Sequence, residues 1–202
     1  MNFLGHSYLC IGNEHLIAGN FAGDSYKGNL DKISHLPKHI QDGVKLHRFI
    51  DNFTDQSKYI IEAAHLFQAN GIAKVAYIAC DILLDHYLAK NWNVYSEIEY
   101  KKFIQTIYTK TDKNLIYLEN DFCFLYEKMK EYKWFLDYPH EKGIETILCQ
   151  FSKRLRFQND LDKCMTVFIT NKNKFESLFK TFLSEINDSS RHFILENKLN
   201  LL

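Results

Sequence analysis

Chain breakers are almost absent from this sequence: its 202 residues hold two prolines, Pro37 and Pro139. Interior proline costs a helix about 3 kcal/mol and glycine about 1 kcal/mol. Stretches free of both can therefore run as long helices. The apolar spacing agrees. Phe175, Leu178, Phe179, Phe182, Leu183 and Ile186 recur at three- and four-residue steps, which places them on one helical face. The same step predicts helices over Tyr59–Phe67, Ile72–Trp92, Ile98–Tyr108, Leu115–Trp134 and Ile144–Phe157. Asn70-Gly71 reads as a helix stop, because both residues tolerate the left-handed backbone that ends helices. No sustained two-residue alternation argues for a sheet. The expectation is an all-α fold, a single helical domain over residues 1–202.

Composition narrows the class. With 46% hydrophobic and 15% aromatic residues the chain has the material for a packed core and not for a disordered tail. Twenty-five Lys and Arg balance 25 Asp and Glu, so no global field favours nucleic acid. Cys10, Cys80, Cys123, Cys149 and Cys164 are odd in number and form no CxxC pair, as expected of reduced thiols in a cytoplasmic protein. The run Val75 to Leu84 is interrupted by Asp81 and is too short to span a bilayer. A soluble protein that binds neither nucleic acid nor membrane is expected.

The first third differs in texture. It carries Gly5, Gly12, Gly19, Gly23, Gly28 and Gly43. Glycine at such density in a helical chain points to close backbone approach, and Gly19 and Gly23, four apart, would admit a neighbouring element. Three groups of chemically able residues fall in or beside this region. His47, Asp51 and Asp55 lie on one helical stripe, where an imidazole and a carboxylate one turn apart can share a metal ion such as Mn²⁺, Fe²⁺ or Zn²⁺. An ordinary His–Asp contact on a solvated face is the alternative. Asp81 and Asp85 share a helical face with Ile78, Ile82, Ala89 and Trp92, and His86 follows directly. Carboxylates on an apolar face need a metal, a cation or strong donors. A salt bridge to an arginine such as Arg48 would serve equally. Asp24 stands among glycines, and His6 precedes it. His and Asp from separate helices can converge on a metal that lowers the pKa of bound water and clamps phosphate oxygens, and Arg48 can add a bidentate phosphate contact. The absence of GxxxxGK[ST], GxSxG and HExxH argues against P-loop, α/β-hydrolase and zincin chemistry.

The segments Met1-Asn2-Phe3-Leu4-Gly5-His6, Gly19-Asn20…Asp24…Gly28, His47-Arg48-Phe49-Ile50-Asp51…Thr54-Asp55 and Asp85-His86-Tyr87-Leu88…Trp92 come in this order. So spaced, they resemble the signature blocks of the acyl carrier protein phosphodiesterase family. Ile144…Leu148…Ser152-Lys153-Arg154 resembles a later block. Gly5, where relatives often carry alanine, and Leu155, where proline would follow Arg154, depart from the pattern. The resemblance implies a helical fold related to HD-type phosphohydrolases and a Mn²⁺-preferring activity, with Mg²⁺ or Fe²⁺ as alternatives. Holo-acyl carrier protein is the implied partner, releasing 4′-phosphopantetheine and apo-carrier protein. The family's essential N-terminal aspartate falls on Asp24. On this reading the expected metal ligands are His6, Asp24, His47, Asp51 and Asp85. The expected catalytic groups are Asp24, Arg48 and His86, with His86 protonating the departing serine oxygen. Lys153-Arg154-Leu155-Arg156, with Lys163, Lys172 and Lys174, are candidates for holding an acidic carrier protein. Two other functions stay open: an HD-type phosphohydrolase of nucleotides or other small phosphoesters, and a non-catalytic helical binding module.

Overall fold

A computed structural model describes residues 1–200, and among them no strand occurs. The helices are α1 (Phe3–Tyr8), α2 (Ile17–Phe21), α3 (Lys38–Gln56), α4 (Lys58–Ala69), α5 (Ala76–Lys90) and α6 (Trp92–Tyr95). They continue as α7 (Tyr100–Asp112), α8 (Asn120–Glu131), α9 (Trp134–Asp137), α10 (Glu141–Arg154), α11 (Cys164–Thr170) and α12 (Lys172–Glu196). Short 3₁₀ turns, including Gly23–Ser25 and Leu115–Tyr117, join some of them.

The sequence periodicity is borne out most cleanly in α12, whose Phe175, Leu178, Phe179, Phe182, Leu183 and Ile186 are all buried. The stripe packs on α3, α4, α5 and α11. α5 behaves differently, since residues from Ile82 to Ala89 are buried without a break. A helix covered on all sides needs no polar stripe. α5 is that central helix, touching α1, α4, α10 and α12. Asn70 and Gly71, at φ +82°, end α4 as expected.

Two expected helices are interrupted. The span Leu115–Trp134 begins as a 3₁₀ turn, passes through extended Leu118 and Glu119, and forms α8 only from Asn120. It breaks again at Lys133, which takes the left-handed φ of 54° and turns the chain into α9. Ile72–Trp92 loses its first turn because the chain enters helix only after Val75.

The close approach expected at Gly19 is met by α3. A Cβ on Gly43 would lie 2.5 Å from the Leu16 carbonyl oxygen and 2.8 Å from the Gly19 Cα. One on Gly19 would overlap the Ile40 carbonyl. Two facing glycines thus bring the α2 and α3 backbones into contact. That crossing carries Asn20 and Gly23 against His47.

Candidate metal centre

His6 comes from α1, Asn20 from α2, Asp24 from the 3₁₀ turn after it, and His47 and Asp51 from α3. Asn20 is fully buried and ties the set together. Its Nδ2 donates to the His6 carbonyl at 2.8 Å and to the Cys10 sulfur at 3.1 Å. Its side-chain oxygen lies 3.0 Å from His6 Nδ1, and its main-chain oxygen 2.8 Å from His47 Nδ1. Both atoms can only accept. Each imidazole therefore keeps a proton on Nδ1 and turns Nε2 toward Asp51, the nitrogen through which histidine binds metal once its own proton is displaced.

The two rings stack with centroids 4.2 Å apart. Asp51 closes the group. Its Oδ1 lies 3.2 Å from His6 Nε2 and its Oδ2 3.0 Å from His47 Nε2. Asp24 approaches from the solvent side, 3.5 Å from His47 Nε2, with its side chain 81% exposed. The ligand atoms of His6, His47 and Asp51 lie within 4.8 Å of one another. His47 Nε2 is buried and aligned with no acceptor as a hydrogen bond. Imidazole and carboxylate ligands bind divalent metals at about 2.0–2.2 Å, so one ion between these atoms fits the spacing. The donor set suits a borderline or hard divalent cation. A Cβ on Gly23 would overlap the His47 ring, which explains the second of the paired glycines.

The charges answer to this geometry. Burial opposes a proton on His47, but the Asp24 and Asp51 carboxylates outweigh it and lift the group to about 9. Burial pushes His6 down, and the neighbouring His47 adds to that. Although burial works against it, Asp51 is held well below the usual carboxylate range by His47 and His6. Asp24 is lowered chiefly by its contact with His47. A raised histidine stabilises the folded state below its unfolded value and loses that contribution as pH rises through the folded value. The His6 effect is complete by about 6.5, the ordinary histidine value. Metal-free protein should accordingly lose about 5 °C of melting temperature between pH 7 and 9, and His47→Gln should flatten the slope. Calorimetry in chelator measures both.

The structure places two expected site residues outside this group. Asp85 is fully buried, but its oxygens accept the Leu4 N–H at 2.7 Å and the Gly5 N–H at 3.0 Å, and it is not in the His6–His47–Asp51 group. It fastens the first turn of α1, whose N–H groups lack helical partners, and so holds the backbone that carries His6. Burial lifts its carboxyl to about 7. His86 turns away from this centre. Its Nδ1 sits 2.7 Å from the Tyr138 carbonyl and its ring edge meets Phe168. Neighbours in a helix diverge by about 100°, and here Asp85 faces the first turn of α1 while His86 faces Tyr138. Asp81 meets the Met1 amino group at 2.5 Å and not Arg48. Arg48 donates to the Tyr26 carbonyl at 3.0 Å, beside the Asp24 turn. Asp55 is exposed and joins no cluster. Sequence reasoning gave Asn20 no task, though it is the residue that orients both histidines. Its signals were its place next to Gly19 at the helix crossing and its presence in the Gly19-Asn20…Asp24…Gly28 block.

The family model for acyl carrier protein phosphodiesterase matches residues 1–186. The chain belongs to that family. An acyl carrier protein phosphodiesterase of Photorhabdus laumondii is 28% identical over 155 residues, 76% of this chain and 77% of that protein. One from Pectobacterium atrosepticum is 27% identical over 183 residues, 90% and 93% of the two chains. One from Salmonella agona is 34% identical over 92 residues, 46% of each. No solved structure matches. His6, Asn20, Asp24, His47 and Asp51 all lie inside the segment that the family model covers. No helix among the described residues is long and apolar enough to cross a membrane.

Proposed function

We propose that this chain hydrolyses the phosphodiester joining 4′-phosphopantetheine to a carrier-protein serine in the cytoplasm, using a divalent cation, Mn²⁺ by preference, held by His6, His47, Asp51 and Asp24. Membership of the family and the names of the relatives support the substrate. The observation that carries the metal is the convergence of two Nε2 atoms and a carboxylate within 4.8 Å, with both Nδ1 protons held by Asn20.

When bound, such a cation supplies a water of lowered pKa and positive charge for the phosphate oxygens. The chain's own groups do the rest. Asn20 keeps both Nδ1 protons in place. Asp51 touches both imidazoles and fixes their separation. Asp24, open to solvent and ionised at neutral pH, accepts a hydrogen bond from the attacking water and aims it at phosphorus. Arg48, one residue after His47, donates to the Tyr26 carbonyl beside the Asp24 turn, and in this reading its guanidinium takes a non-bridging phosphate oxygen. Water adds to phosphorus, the bond from phosphorus to the serine oxygen breaks, and that oxygen takes up a proton. The products are phosphopantetheine and a free serine hydroxyl.

Mass spectrometry of holo-carrier protein incubated with enzyme and Mn²⁺ tests the reading. Loss of the phosphopantetheine mass is expected, and chelator should abolish it. Asp24→Ala should fold normally yet turn over at least about 100-fold more slowly. Wild-type turnover by that variant would refute the assignment. An unchanged carrier protein alongside a hydrolysed nucleotide would give the site to small phosphoesters instead.

A further inference from the structure

α8 and α10 run past each other and leave between them a groove of about 410 Å³. α8 contributes Phe124, Leu125 and Lys128, with Tyr132 just beyond its end, and α10 contributes Gln150, Lys153 and Arg154. The spacing on each side, 124-125-128-132 and 150-153-154, is that of one helical face. Buried Trp134 lies in the lining, and its indole N–H has no hydrogen-bond partner. Phe124 is 70% exposed and Tyr132 51%, an apolar pair that a solitary helix face has no reason to present to water. No carboxylate lines the groove, while three cations do. Lys128 is engaged by Glu131 at 2.6 Å. Among the described residues, neither Lys153 nor Arg154 has a carboxylate within 4.0 Å.

We infer that this groove docks an acidic amphipathic helix of the carrier-protein substrate, its apolar face on Phe124 and Tyr132 and its carboxylates on Lys153 and Arg154. The inference rests on the function proposed above, and charge complementarity selects the occupant. An apolar trough edged by unpaired cations matches an amphipathic helix with an acidic border. The inner face of α8 connects the groove to the candidate centre. Phe122 and Tyr126 pack on Phe21 of α2 at 5.1 and 5.9 Å, three residues before Asp24. Upstream of α8, the Tyr117 carbonyl accepts the hydroxyl of Tyr26, two residues after Asp24, at 2.6 Å. The groove therefore lies on the opposite face of α8 from the one that packs on Phe21.

The test titrates the full-length protein with a purified bacterial holo-acyl carrier protein at about 50 mM salt, by calorimetry, with Mn²⁺ affinity as a control. Phe124→Ala and the double variant Lys153→Glu/Arg154→Glu, all at exposed positions, should each weaken binding at least about tenfold and leave Mn²⁺ affinity unchanged. At about 0.5 M salt the charge variant's deficit should shrink, whereas that of Phe124→Ala should persist. Wild-type affinity in both variants would overturn the docking site, as would no binding by the wild-type protein. A wild-type dimer that Phe124→Ala turns into a monomer would also overturn it, giving the groove to a second copy. Tight, groove-dependent binding without release of phosphopantetheine would uphold the docking site and refute the hydrolase reading.

Discussion

Asp51→Asn will cost the protein its metal and its turnover while leaving its helices in place. Asparagine keeps the shape of aspartate but carries no charge and replaces one acceptor oxygen with a donor. Asp51 is the residue that both imidazoles reach, at 3.2 and 3.0 Å, so one substitution removes a ligand and the group that spaces the other two. Mn²⁺ affinity should drop about 100-fold or more and turnover about 1,000-fold. The His47 pKa, held near 9 by Asp24 and Asp51 together, should fall in the metal-free variant. Calorimetric titration with Mn²⁺, a single-turnover assay on holo-carrier protein and NMR titration of the imidazoles would read these effects. Affinity within threefold of wild type would remove Asp51 from the ligand set.

Gly43→Val will unfold the first third of the chain or shift it out of register. The position has no room: the Leu16 carbonyl, the Asn20 nitrogen and the Gly19 Cα would all lie within 2.8 Å of a new Cβ. These are backbone atoms of another helix and cannot rotate aside, and valine adds two methyl groups beyond the Cβ. Overpacking of flexible cores costs about 1–3 kcal/mol. Against rigid backbone the loss should reach at least the upper end, a fall in melting temperature of about 10 °C. Where the variant survives, α2 must move off α3 and take Asn20 with it, so the His6 and His47 tautomers lose their common anchor. Melting and Mn²⁺ titration should therefore fail together. A variant that melts as wild type would refute the tight crossing.

The reason for treating these two sites as one device lies in what the sequence could and could not convey. Helix existence was legible because apolar spacing is local: the stripe from Phe175 to Ile186 needs no knowledge of its partner to be recognised. The pair His47 and Asp51 was legible for the same reason, one turn of one helix. His6 joining them was not, since 40 residues and the α2–α3 crossing intervene. The glycines at 19 and 43 announced a close approach without naming its partner. Asp85 illustrates the opposite failure. A buried carboxylate on an apolar face had to find strong partners, and it did, in the Leu4 and Gly5 N–H groups. Periodicity cannot tell such backbone donors from a metal. The break at Lys133 left no trace in the sequence because lysine, unlike glycine or asparagine, does not mark a left-handed backbone.

The central claim is that His6, His47, Asp51 and Asp24 surround one divalent cation, and anomalous diffraction from crystals grown with Mn²⁺ tests it most directly. The account predicts an anomalous peak about 2.0–2.3 Å from both Nε2 atoms and from an Asp51 oxygen, with an Asp24 oxygen drawn in toward it. A peak lying elsewhere, or none while His47 Nε2 remains paired with Asp51 alone, would contradict it.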